Sequence, residues 1–409
     1  MKKSASAGGG GGLAVLPLRN VFWFSWKLLT GLSIVLCILA FLRLYNYAQT
    51  FPSTASSESE LLDSGPTFPV LSSSSSPLLH HRSRFVNSYA GFKGNSKIAF
   101  LFLARKNLPL DFLWGSFFED ADVANFSIYV HSEPGFAFDE STTKSAFFYD
   151  RQLRNSIKVA WGESSMIEAE RLLFEAALQD PANQRFILLS ESCVPLYNFS
   201  YVYNYLLASP KSFVDSFLDK KEGRYNEQMA PVIPKKKWRK GSQWITLVRK
   251  HAEVIVDDDI IFPVFQKFCK RRPLLDPSKG KQNLKLQKQH NCIPDEHYVQ
   301  TLLAMKDLED EIERRPVTYT LWNQSKSKME MSGWHPITFS YADAGPQQIK
   351  RIKGINHVYY ETEFRTEWCK VNSTSVPCFL FARKFSEGAA MRLLIEGVVS
   401  KLNTTKLLE

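Results

Sequence analysis

The chain has 409 residues, 44% hydrophobic and 13% aromatic, which is enough apolar mass for a substantial core and too much for a disordered protein. Its formal net charge of +10 is spread along the sequence, with clusters at 235–240 and 267–272. No zinc-finger, homeodomain or RNA-binding signature accompanies that charge, so nucleic acid is not an expected partner.

Residues 1–20 hold Lys2, Lys3 and Arg19 but no acid, and read as a cytoplasmic tail. Residues 21–42 are apolar apart from Lys27 and a few small polar residues. As a helix rising 1.5 Å per residue, this stretch crosses a hydrocarbon core of about 30 Å. Positive charge precedes it and Glu58, Glu60 and Asp63 follow, so the positive-inside rule puts the N-terminus in the cytosol. The long charged leader and the lack of an A-x-A site favour an uncleaved signal anchor over a signal peptide. Residues 43–95 are rich in Ser and Pro and read as a flexible stem. Residues 96–409 then form one luminal domain.

Five Asn-x-Ser/Thr sequons follow the anchor, at Asn125, Asn198, Asn323, Asn372 and Asn403, as expected for a glycosylated luminal protein. Of six cysteines, Cys37 lies in the apolar stretch and no C-x-x-C pair exists, which argues against a structural zinc site. In an oxidising lumen, Cys269 with Cys292 and Cys369 with Cys378 are candidate disulfides, with Cys193 left over. Spacing alone does not fix that pairing.

Within the domain, apolar runs at 98–103, 126–130, 186–189, 317–321 and 379–381 predict buried strands. The clearest helical pattern is 165–178, with Ser165 and Glu168 at capping-box spacing and Leu173, Ala176 and Ala177 on one face. Alternating strands and helices predict an α/β fold with a mostly parallel sheet covered on both faces.

Several segments in order carry a resemblance: KIAFLFLAR (97–105), FSIYVHSEPGF (126–136), RFILLSESCVPL (185–196), RKGSQWITLVRKHA (239–252), PDEHYVQTLL (294–303), GWHPITFS (333–340) and CFLFARKF (378–385). Together they resemble the core-2/I-branching β-1,6-N-acetylglucosaminyltransferase family (glycosyltransferase family 14), in its plant-type branch. The resemblance implies a GT-A type nucleotide-sugar fold, an inverting mechanism, a UDP-sugar donor, a glycan acceptor, Golgi residence as a single-pass type II membrane protein, and no divalent metal or other cofactor. A catalytically inactive Golgi binding or assembly protein is the alternative.

Sugar transfer requires that the acceptor hydroxyl lose a proton and that the departing diphosphate be stabilised. Many GT-A enzymes meet the second need with a metal on Asp-x-Asp at a strand end. Here Asp120-Ala-Asp122 precedes a strand, and Asp257-Asp258-Asp259 follows a helical stretch. After the strand at 186–189 the chain reads Ser190-Glu191-Ser192 instead. Cations must then serve. Lys384, at the end of the last strand and before a helix capped by Ser386, matches the family's pyrophosphate lysine and sits where a helix N-terminus favours an anion. The family's arginine near the diphosphate has no match in 334–340; Arg365 and Arg383 are the candidates to replace it.

Glu296 matches the family's catalytic base, with Pro294 opening the helix and Asp295 as a cap. Gly241 and Ser242 match a segment lining the donor and acceptor cleft. Trp244 reads as a sugar-stacking ring or as core, and Arg224 as an acceptor contact. His131 and Glu133, after the second strand, and Glu163, assigned to the end of the third, are nucleotide-side candidates because ligands of α/β sheets bind at carboxyl strand ends. His335 matches a family position without a derived role.

Overall fold

Three apolar runs become the parallel centre of a six-stranded sheet: β1 (Lys97–Leu103), β2 (Phe126–His131) and β3 (Asn183–Ser190). In register, Leu103 lies beside both His131 and Ser190, so the three carboxyl ends are level. The computed structural model describes residues 94–221, 223–271, 291–322, 335–371 and 373–398. The expected tail, the anchor at 21–42 and nearly all of the stem lie outside them. Among the described residues no helix is long and apolar enough to cross a membrane.

The runs are continuously apolar because both sheet faces are covered. Ile98, Phe100 and Phe102 pack with Trp114, Phe117 and Phe118 of helix α1 (Asp111–Glu119). Ala99, Leu101 and Leu103 point the other way, toward Ile167, Leu173 and Phe174 of α2 (Ser165–Leu178). Such alternation onto two cores is the signature of a sheet buried on both sides. β6 (Thr246–Val248), β5 (Ser212–Phe213) and β7 (Ile312–Glu313) complete the strand order β2-β1-β3-β6-β5-β7, with β6 antiparallel to both its neighbours.

The last two predicted strands are displaced. The run at 317–321 is β8 (Thr318–Thr320), and the run at 379–381 is β13 (Phe381–Arg383). Both leave the central sheet and join β4 (Val194–Pro195) in a separate sheet of order β4-β13-β8. Phe379 and Leu380 are buried before the strand begins, so their apolarity reports burial rather than pairing.

The helix at 165–178 has the predicted span, but its capping box does not form. Ser165 is the first helical residue, and its Oγ accepts from the Ala160 N–H at 3.0 Å. Both Asp-x-Asp strings are structural. Asp122 caps a short turn by accepting from the Ala124 N–H, and Asp258 accepts from the N–H groups of Ile260, Ile261 and Phe262 at the start of α5 (Ile261–Phe268). Cys269 is bonded to Cys292 and Cys369 to Cys378, and Cys193 is a buried free thiol. Asn125 is half-buried, and Asn198 is exposed and caps α3 (Phe199–Ala208). Asn323, Asn372 and Asn403 lie outside the described residues.

Candidate active site

The carboxyl end of β3 turns through Ser190–Glu191–Ser192 into β4, and the antiparallel pairing of β4 with β13 brings Arg383 and Lys384 to that turn. Phe385 N–H donates to the Ser192 carbonyl at 3.0 Å. Arg105, just past β1, grips Glu191 through its backbone N–H at 2.8 Å and Nε at 2.7 Å. Three cations thus gather around one carboxylate. Lys384 is half-buried; burial first, then the nearby Arg383 and Arg105, hold its ammonium below the ordinary lysine value. A cation cluster with too few counter-ions is the electrostatic form of an anion site. The strand stops at Arg383, one residue before the expected end. Beyond it, Ser386 caps α8 (Glu387–Ile395) by accepting from the Ala389 N–H at 3.2 Å, as its spacing predicts.

Arg383 is the deeper of the pair. Burial lowers its pKa, its guanidinium lies 4.4 Å over the Trp244 ring, and its Nε has no hydrogen-bond partner among the described residues. Trp244 itself is buried, with Arg383 on its ring face. This placement matches the core reading of Trp244.

Glu296 ends a single 3₁₀ turn, Pro294–Glu296, ahead of α6 (Tyr298–Met305). Arg224 Nη1 stands 2.5 Å and Lys240 Nζ 3.8 Å from its Oε2. Oε1 takes no hydrogen bond from the described residues. The Glu296 carbonyl accepts from Gly241 N–H at 2.9 Å. A Cβ on Gly241 would sit 1.6 Å from the Asp215 carbonyl oxygen, so only glycine allows this approach. Ser242 N–H donates to Asp215 Oδ2 at 2.9 Å, and Ser242 Oγ accepts from the Trp244 N–H. A short chain of contacts, Glu296–Gly241–Ser242–Trp244–Arg383–Lys384, therefore joins the carboxylate to the cations.

Asp295 is not a cap. Its Oδ1 is buried without a partner among the described residues, and burial, then the Glu296 charge, push its carboxyl up to about 7. Glu170 on α2 is also buried and accepts from Gln243 at 2.7 Å; burial and then Asp295 raise its carboxyl well above the usual range. Asp215, raised to about 6 by burial, accepts from the Tyr360 hydroxyl at 2.6 Å.

The remaining expected residues scatter. Arg365 is committed to Glu363 at 2.8 Å, to Glu367 and to the Ser216 carbonyl, and its guanidinium lies 4.1 Å over the Tyr360 ring. It braces a hairpin and does not join the cation cluster. His131 does stand at the carboxyl end of β2, where its Nε2 accepts from Ile157 N–H and burial lowers its pKa to about 4, which keeps it neutral. Glu133 is exposed beyond it. Glu163 ends no strand: after β2 the chain makes only an isolated bridge, Val130 with Gln152, before α2, and Glu163 is exposed in that loop. His335 is exposed beside Trp161, 5.6 Å between ring centroids.

The sequence reading missed Arg105, Glu191, Lys240, Asp215 and Glu170. Arg105 and Glu191 were open to detection as charges directly after predicted strands. The buried acids were not, because their partners are far off in sequence.

A family model described as "Branch: Core-2/I-Branching enzyme" matches residues 98–353. The chain is also 55% identical over 305 residues to a protein of Oryza sativa subsp. japonica named Glycosyltransferase BC10, a match covering 74% of this chain and 76% of that one.

Proposed function

As a member of the Core-2/I-branching enzyme family this chain is a glycosyltransferase, acting on a nucleotide-sugar donor and a glycan acceptor, and we propose that it is an inverting GT-A type enzyme that transfers N-acetylglucosamine from UDP without a metal. In this reading the acceptor hydroxyl attacks the anomeric carbon from the face opposite UDP. The new C–O bond forms as the bond to the β-phosphate oxygen breaks. The hydroxyl proton passes to Glu296 Oε1, which takes no hydrogen bond from the described residues while Arg224 and Lys240 hold Oε2. The negative charge on UDP falls on Lys384 and Arg383 at the start of α8.

Glucuronic acid and xylose are the related donor sugars to be tested. Golgi residence, with residues 96–409 in the lumen behind an anchor at 21–42, rests on the charge and hydropathy pattern and on the sequons.

The observation that carries the proposal is the contiguity of Glu296 with the Arg383–Lys384 pair across Gly241–Trp244. The cation cluster also stands where a metal-bearing motif would follow β3. The test is donor hydrolysis and thermal shift of the purified protein across UDP-sugars, with and without EDTA. A preferred UDP-N-acetylglucosamine and indifference to chelator support the proposal. Loss of turnover with EDTA, restored by a divalent cation, contradicts it.

A further inference from the structure

The hairpin of β9 (His357–Tyr360) and β10 (Arg365–Trp368) has two unlike faces. Pairing sets His357 opposite Trp368 and Tyr359 opposite Thr366, so these four side chains share one side. All four are exposed, with Tyr359 at 56% and Trp368 at 55%. The His357 and Trp368 rings stand 4.9 Å apart. The other side points inward: Tyr360 donates to Asp215, and Arg365 binds Glu363, Glu367 and the Ser216 carbonyl.

This hairpin is fastened to the loops that carry the site. Glu363 Oε1 accepts from the Leu218 N–H at 3.1 Å and from Arg314 at 2.8 Å, and Lys220 Nζ donates to the Thr362 carbonyl at 2.6 Å. The same loop holds Asp219, which accepts from the Arg224 N–H at 2.8 Å, and Arg224 grips Glu296. At the open end, Cys369 N–H donates to the Asn356 carbonyl, and the Cys369–Cys378 disulfide closes the base directly after Trp368. The rings are therefore presented on the outer face of a strand pair that is braced to the catalytic loop from its inner side, and so are pre-organised before a ligand arrives.

We propose that the outer face of this hairpin is a glycan-binding platform that holds the acceptor chain away from the point of transfer. Here the surface is aromatic rings with polar edges, the combination that packs against the C–H face of a sugar while meeting its hydroxyls. None of the four residues is an acid, lysine or arginine, in a chain of net charge +10. That points to a neutral saccharide rather than an acidic polysaccharide. Equatorially substituted β-linked sugars present the flattest apolar faces, so the occupant is a neutral β-linked glycan. The inference rests on the glycosyltransferase reading for its ligand class.

The test uses full-length protein in mild detergent, with cellohexaose, xylohexaose and laminarihexaose as probes, followed by titration calorimetry and saturation-transfer NMR. At least one hexaose should bind, and Trp368→Ala and Tyr359→Ala should each weaken it ten-fold or more. Trp368→Phe should keep most of the affinity, and UDP affinity, which reports the intact fold, should be unchanged in all three. Unaltered hexaose affinity in both alanine variants, or no binding of any probe, overturns the platform. So does a wild-type dimer that Trp368→Ala dissociates, since the face would then be a contact between copies. Saccharide binding that depends on Trp368 in a protein without sugar transfer would leave the platform standing and sink the proposed reaction instead.

Discussion

Asp295→Asn isolates the electrostatic tension of the site. The Asp295 carboxyl is buried, has an Oδ1 without a partner among the described residues and is pushed from 3.8 up to about 7 by burial and then by Glu296. Because the folded value is the higher one, between about pH 4 and 7 the native state keeps a proton that the unfolded chain has released. Stability must therefore fall as pH rises through that window and level off above it. The gap corresponds to about 4 kcal/mol at most, or about 1.4 kcal/mol per pH unit. Asparagine does not titrate, so the variant's stability relative to the wild type should improve by up to that amount between pH 4 and pH 8. Asp215, whose shift does not involve Asp295, is common to both proteins and cancels in the difference, whereas Glu170, which the Asp295 charge helps to raise, relaxes toward its ordinary value in the variant and shifts the difference in the same direction. Guanidinium unfolding of both proteins at half-unit pH steps measures it. Parallel pH profiles would refute the reasoning, because they would mean Asp295 has the same pKa folded and unfolded.

Two further outcomes follow from the same loops. Tyr360→Phe removes the hydroxyl that donates to Asp215 Oδ1 at 2.6 Å, leaving a buried acceptor short of its partner at a cost of about 1–3 kcal/mol. Since that hydrogen bond lowers the Asp215 pKa, its loss should cost more at pH 8 than at pH 5 in the same unfolding assay. Gly241→Ala drives a Cβ into the Asp215 backbone, 1.6 Å from its oxygen, and should destabilise by about 3 kcal/mol while lowering turnover. Normal melting and normal rate in that variant would mean the Gly241–Glu296 hydrogen bond does not set the geometry.

The central fold was legible because its causes are local. Runs such as FLFL at 100–103 stay apolar at every position only when both sheet faces are covered, and the spacing of Leu173 and Ala177 gives a helix its buried side. The short pairings were not. Neither HVYY at 357–360 nor RTEW at 365–368 has a clear apolar alternation, since one side of that hairpin is solvent-exposed and the other is held by hydrogen bonds. The site was legible in part. The motifs named Glu296, Arg383 and Lys384, and the fold brings them into one neighbourhood. Asp215, in FVDSF, reads as an ordinary surface acid until Tyr360 and Ser242 arrive from distant segments. Arg365 misled for the complementary reason. Its charge fitted a phosphate contact, but Glu363 and Glu367, two residues away on either side, neutralise it.

The most direct measurement sets UDP affinity against transfer rate in two variants. Glu296→Gln should bind UDP as the wild type does and transfer on the order of 10²–10⁴-fold more slowly. Lys384→Ala should instead lose UDP affinity, about ten-fold or more for a partly buried contact between a cation and a diphosphate. If Glu296→Gln transfers at the wild-type rate, or if UDP binds the wild type and Lys384→Ala equally well, the division of labour between carboxylate and cation described for this site is wrong.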